Sequence, residues 1–122
     1  MWGIIATWWA GLLIGIPLAV CAQTGTKPKL TANQMMKPIA VLLAIMGSLA
    51  ILSGITGFIL AKTESIYLLP NLATAIEPKK HDLFLAAGWA HGASYLSGII
   101  GGVILCIITI RKRDKMKKQL VI

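Results

Sequence analysis

The chain has 122 residues, 57% of them hydrophobic and 13% charged, with a mean hydropathy of +0.78. Such a composition is too apolar for a soluble domain or soluble enzyme of this size, and the two cysteines, Cys21 and Cys106, are too few for a disulfide-stapled secreted domain. Twelve Lys and Arg against four Asp and Glu give a formal net charge of +8, yet all of them fall within residues 27–37, 62–82 or 111–118, which excludes a disordered basic nucleic-acid binder.

Between the charged segments lie uncharged runs over residues 2–22, 38–61 and 83–110. A hydrocarbon core about 30 Å thick needs roughly 20 apolar residues at about 1.5 Å per residue, so each run is long enough to cross it. Lipid offers no partner to backbone N–H and C=O groups, and the runs do not alternate as barrel strands would, so helices are predicted. The expected fold class is all-α: a single polytopic membrane domain with three transmembrane helices.

Lys and Arg in short loops set orientation. The tail 111–122 holds Arg111, Lys112, Arg113, Lys115, Lys117 and Lys118, and the 23–37 loop holds Lys27, Lys29 and Lys37. The 62–82 loop balances Lys62, Lys79 and Lys80 with Glu64, Glu77 and Asp82. The N-terminus and 62–82 are therefore expected outside, and 23–37 and the tail in the cytoplasm of a bacterial inner membrane. Pro17 and Val20-Cys21-Ala22 resemble a signal-peptidase site, but no basic residue precedes the apolar run, so the first helix is expected to be retained.

Thr31-Ala32-Asn33-Gln34 has the form of a capping box, so the second helix can start near Ala32, with Pro38 introducing a small bend. Ile66–Leu69 and Leu72–Ile76 are too apolar for a solvated linker and too short to span, which suggests an interfacial segment. Pro78 suits the first turn of the third helix, which is expected to run from about 78 to 113.

Small residues recur at four-residue spacing on every helix, the pattern that lets backbones approach in lipid. The stripes are Gly3-Thr7-Gly11-Gly15-Ala19 on the first, Ala50-Gly54 and Ser53-Gly57-Ala61 on the second, and Gly88-Gly92, Ala90-Ser94-Gly98-Gly102 and Ala93-Ser97-Gly101 on the third. Gly11, Gly15, Gly54, Gly57, Gly98 and Gly102 are the expected packing positions. The third helix has more than one small face, so contacts to its own neighbours and to another chain are expected. Trp2 and Tyr67 fit an outer aromatic belt; Trp8, Trp9 and Trp89 sit deeper, where core packing is the expectation.

His91 lies inside the third span, about 12 Å from the outer end of its apolar run. Intramembrane ionisable groups are costly and mark functional positions. Its expected role is structural, hydrogen-bonded near Tyr95, Ser94 or Trp8 and Trp9. The alternatives are a contact with haem, a pigment or a quinone, in which His91, Tyr95 and Trp89 would form the cofactor surface, and a role in proton or ion passage. His81 is on a different face and about 15 Å away, and Cys21 and Cys106 have no His or carboxylate predicted beside them, so no metal site is expected.

No Gly-rich phosphate loop, nucleophile elbow or paired carboxylate occurs, and no enzymatic activity is expected. The expected function is that of a small accessory, structural or assembly subunit within a membrane complex or homo-oligomer, its basic tail drawn to anionic lipid and not to nucleic acid. Its length, three helices and intramembrane His are similar in architecture to small anchor subunits of the succinate dehydrogenase type, whose helix motifs with His next to Arg are absent here. That likeness implies the cofactor-associated role. Three spans, an outside N-terminus and a basic tail resemble class I phage holins in topology, which implies a pore former.

Overall fold

A computed structural model describes the main chain of residues 2–120 and the side chains from Trp8 to Leu120. The side chain of Trp2 and the stripe positions Gly3 and Thr7 lie outside the described residues. The described chain is all-helical: α1 (Trp2–Gln23), α2 (Ala32–Lys62), the short α3 (Pro70–Ala75), a 3-10 turn over Pro78–Lys80, and α4 (His81–Leu120).

Local sequence explains the helix ends. α2 starts directly after Thr31, whose N–H donates to Gln34 Oε1 at 3.1 Å, the reciprocal half of the capping box. The Gln34 N–H in turn goes to the Thr31 carbonyl at 3.1 Å and not to its hydroxyl. The run predicted at 38–61 is thus the apolar part of a 31-residue helix. At the other end, Ser65 N–H reaches Leu60 O at 2.9 Å and Glu64 N–H reaches Ala61 O at 3.1 Å. This is a Schellman closure with Glu64 at φ 52°, a conformation that costs a non-glycine residue about 1 kcal/mol.

α4 runs seven residues further than the predicted end near 113, to Leu120. No Gly or Pro follows Gly102, and the Lys, Arg, Met, Gln and Leu of the tail are all strong helix formers.

Contacts divide into two compact units, Met1–Leu43 with Gly98–Ile122, and Ala44–Ser97; α2 and α4 contribute to both. In the first unit, a Cβ placed on Gly102 would lie 3.1 Å from Ile14, and Arg113 bonds the Cys21 carbonyl. These contacts follow the same order on both helices, so α1 runs parallel to this half of α4. Leu42 sits on Gly101, and Met35 meets Thr109, so the start of α2 is antiparallel to it. The core is Leu18, Ala22, Leu30, Met35 and Leu105. α4 presents to it a buried stripe, Gly98, Gly102, Leu105, Thr109 and Arg113, at the 3.6-residue period of one helix face. In the second unit, Lys62 pairs with Asp82 at 2.9 Å and Gly54 faces Ala90, so α2 and α4 are antiparallel here too.

α2 and the segment Pro78–Leu120 are long and apolar enough to cross a membrane, and the described part of α1, Trp8–Gln23, is shorter. The helices are apolar all round, and the chain does not cover them. Leu43, Ile51 and Leu52 on α2, and Leu96, Ile99 and Val103 on α4, are each more than half exposed. A soluble protein buries such helices, whereas a bilayer covers them; the exposure supports a membrane protein.

Candidate functional site

His91 is an exposed residue of α4, in the second unit, and its ring meets Tyr95 edge-on, with centroids 4.2 Å apart and planes at 66°. Gly88 and Gly92 are exposed on either side of it, and a Cβ added to either would meet nothing within 4 Å. The nearby hydroxyls are committed to their own helix: Ser94 donates to Ala90 O at 3.0 Å and Ser97 to Ala93 O at 2.6 Å. Tyr95 is the aromatic partner, as the i, i+4 spacing dictates.

Trp89 points the other way. A Cβ on Gly57 would lie 2.7 Å and 2.8 Å from Trp89 Cγ and Cβ, so the indole stem occupies the space a side chain at Gly57 would need. Ser53 Oγ donates to the Trp89 carbonyl at 3.0 Å, an interhelical bond of the kind that joins helices in lipid. Of the trio named for a cofactor surface, His91 and Tyr95 are together, while Trp89 belongs to the α2–α4 seam.

The stripe glycines separate similarly. A Cβ on Gly54 would lie 3.3 Å from Ala90 Cβ, one on Gly57 would meet Trp89 and one on Gly102 Ile14, and Gly98 is buried; Gly11 and Gly15 have open space within 4 Å of a Cβ. Gly101, on the Ala93-Ser97-Gly101 stripe though not among the six positions singled out, is occluded by Leu42 Cδ1.

The densest polar arrangement in the described chain is at Arg113, only 3% exposed. Its Nε donates to Pro28 O at 2.8 Å, Nη1 to Cys21 O at 2.5 Å, and Nη2 to Thr24 O at 2.7 Å and Lys27 O at 3.0 Å. The C-terminal carbonyls of a helix lack intrahelical partners and carry its negative dipole end, so a guanidinium with five fixed donors suits them. The remaining bonds close the loop: Leu30 N–H reaches Ala22 O at 3.2 Å, Gln23 Nε2 reaches Leu30 O at 2.7 Å, and Thr24 Oγ1 bonds Val20 O. Gly25 supplies the turn at φ +89°, and Leu30, 1% exposed, is the plug. In the sequence Arg113 is one of several tail cations. The available signal was its register, four residues beyond Thr109 on the buried stripe.

Beside the clasp, Lys27 Nζ and Asp114 Oδ1 pair at 2.6 Å. The hydrogen bond from Lys27 holds the Asp114 carboxyl below its ordinary value of 3.8, with the charges of Lys27, Lys118 and Lys117 adding to it. A lowered folded-state pKa means that the pair's contribution is present above the unfolded value and is lost as pH falls through the lowered one. Asp114→Asn is therefore expected to be slightly less stable than the parent at neutral pH, and the gap to close as denaturation is followed to pH values below the ordinary carboxyl value of 3.8. A gap independent of pH would show that the carboxylate charge contributes nothing.

Among the described residues no group of three or more His, Cys, Asp or Glu converges on a point. No known protein family, characterised sequence or solved structure matches the chain.

Proposed function

We propose that this protein is a small, non-enzymatic subunit of a membrane complex or homo-oligomer, crossing a bacterial inner membrane three times and serving assembly or structure. The observation that carries the reading is the outward face of α4, where Gly88, His91 and Gly92 lie exposed with open space above both glycines. An imidazole in hydrocarbon needs partners for a donor and an acceptor, and a bare glycine pair lets another backbone come close. A second chain satisfies both requirements.

The test is Gly88→Leu/Gly92→Leu in the full chain. A Cβ added to either glycine meets nothing within 4 Å, so helix content should be unchanged while association weakens at least tenfold, about 1.4 kcal/mol, by size in mild detergent. Assembly of parental size in the double variant would sink the reading.

In the proposed topology the N-terminus and the α2–α4 connection lie outside, with the α1–α2 loop and the tail in the cytoplasm. The parallel run of α1 and α4 and the antiparallel run of α2 support it, as does the cluster of Lys and Arg on the tail, which would attract anionic lipid at about 1 kcal/mol per charge. Single cysteines placed in 24–29 and 115–120 are expected to be shielded from an impermeant maleimide in intact cells, and those in 63–69 to be labelled. Equal labelling of 24–29 and 63–69 would rule out three spans.

A second reading, a subunit carrying haem, a pigment or a quinone, draws support from the accessible His91 ring against Tyr95 and the cleared surface at Gly88 and Gly92. It is told apart by colour. If the protein purifies with a visible band that His91→Gln abolishes, cofactor binding takes precedence over assembly.

A further inference from the structure

The two compact units divide the charge unevenly. Met1–Leu43 with Gly98–Ile122 holds nine Lys and Arg against one Asp and so carries the whole formal net charge of +8, whereas Ala44–Ser97 holds three of each sign and is neutral. Two of the nine cations are used internally. Arg113 is engaged by the loop carbonyls, and Lys27 is paired with Asp114, the only acidic side chain of this unit. The other seven, five of them between Arg111 and Lys118, stay exposed.

α4 is helical through all five. At about 100° per residue, Arg111, Lys115 and Lys118 fall within about 60° of one another, on the face opposite buried Arg113 and Met116, which packs on the core. That face is held in a fixed direction, because the Arg113 bonds and the Lys27–Asp114 pair tie the same stretch of helix to the α1–α2 loop. From Arg111 to Lys118 it rises about 10 Å. In the three-span reading, on which this inference rests, α4 stands across the bilayer, so Arg111 meets the headgroups and Lys118 stands clear of them.

Lipid charge lies in one plane and its potential fades within about 8 Å, so lipid reaches only the base of such a stripe. A second copy of the chain brings the same +8 to this end and is repelled. Carboxylates at the same spacing on a neighbouring helix match all three cations, and they relieve the i, i+4 repulsion between Arg111 and Lys115. We propose that the face formed by Arg111, Lys115 and Lys118 docks an acidic helix of a different membrane protein, one with Asp or Glu at three- and four-residue spacing where it leaves the bilayer. Single exposed ion pairs are weak and screened by salt, so selectivity comes from register and from both chains being held in one membrane.

The full chain in phosphatidylcholine nanodiscs is titrated at low ionic strength with two fluorescent helical peptides of equal composition. One carries its Glu residues in register at four- and three-residue spacing, the other carries them spread around the helix. By anisotropy the parent is expected to prefer the in-register peptide roughly tenfold. Arg111→Gln/Lys115→Gln/Lys118→Gln should abolish the preference, whereas Lys29→Gln/Lys37→Gln/Lys117→Gln, which removes the same charge off the stripe, should keep it. Equal binding of both peptides by the parent, or equal loss in the two triple variants, would reduce the tail to net charge and overturn the proposal. So would loss of the preference when phosphatidylglycerol replaces part of the lipid, since headgroups would then hold the stripe. Gly88→Leu/Gly92→Leu should keep the preference, so assembly through that face and docking at the tail succeed or fail separately.

Discussion

Arg113→Met is expected to destabilise the protein by about 4 kcal/mol, among the largest effects of any single substitution in the chain. Hydrogen bonds from a charged donor contribute about 1.5–3 kcal/mol each, though bonds made by one side chain do not add fully. Removing the guanidinium strands the carbonyls of Cys21, Thr24, Lys27 and Pro28 together and leaves the C-terminal dipole of α1 uncompensated. Arg113→Lys should recover less than half of the loss, because one ammonium cannot span carbonyls that the planar fork reaches on several sides. Lys112→Met, one residue away and exposed, should stay within about 0.5 kcal/mol of the parent. The measurement is the denaturation midpoint in mixed micelles, with protease cleavage of residues 24–30 as the local readout. Equal midpoints for Arg113→Met and Lys112→Met would show that the clasp does not hold the loop.

Gly57→Leu is the second large expected effect, about 3 kcal/mol. Real Cβ atoms essentially never approach another heavy atom closer than 3.0 Å, and at Gly57 the ideal position is 2.7 Å and 2.8 Å from Trp89 Cγ and Cβ. Trp89 Cβ moves only with its backbone, so the strain cannot be relieved by turning the indole. The helices must part, and the Ser53–Trp89 bond lengthens with them. Overpacking of this kind costs about 1–3 kcal/mol and the lost hydrogen bond about 1 kcal/mol more. Adding Trp89→Ala to Gly57→Leu should recover part of the loss, a coupling that a double-mutant cycle measures directly. Gly47→Ala on the same helix, with nothing within 4 Å, should instead be neutral or stabilising by about 0.5–1 kcal/mol through helix propensity. Additive effects at Gly57 and Trp89 would mean that the two residues do not share the seam.

The His91 region shows how far a linear reading goes. Its link to Tyr95 followed from i, i+4 geometry, and the shared face with Gly88 from the i, i+3 spacing. Whether that face met another helix of the chain or pointed outward did not follow, because a helix that is apolar all round carries no stripe to set its rotation about its own axis. Trp89, adjacent in sequence, lies against Gly57 for the same reason that His91 does not: successive residues are about 100° apart on a helix.

Sequence alone determined the helices and most of their limits. Long uncharged runs must satisfy every backbone polar group internally, Thr31 and Gln34 mark the start of α2, and the absence of Gly and Pro after Gly102 carries α4 through its charged end. Tertiary structure decided which small residues are used, bringing Gly101 onto Leu42 and Gly102 onto Ile14 while leaving Gly11 and Gly15 open. It also singled out Arg113 from the tail cations, setting its guanidinium on the carbonyls of the α1–α2 loop. Those outcomes depend on how each helix is rotated and shifted against its neighbours. That is set by interdigitation of side chains from distant parts of the chain, and local periodicity does not encode it.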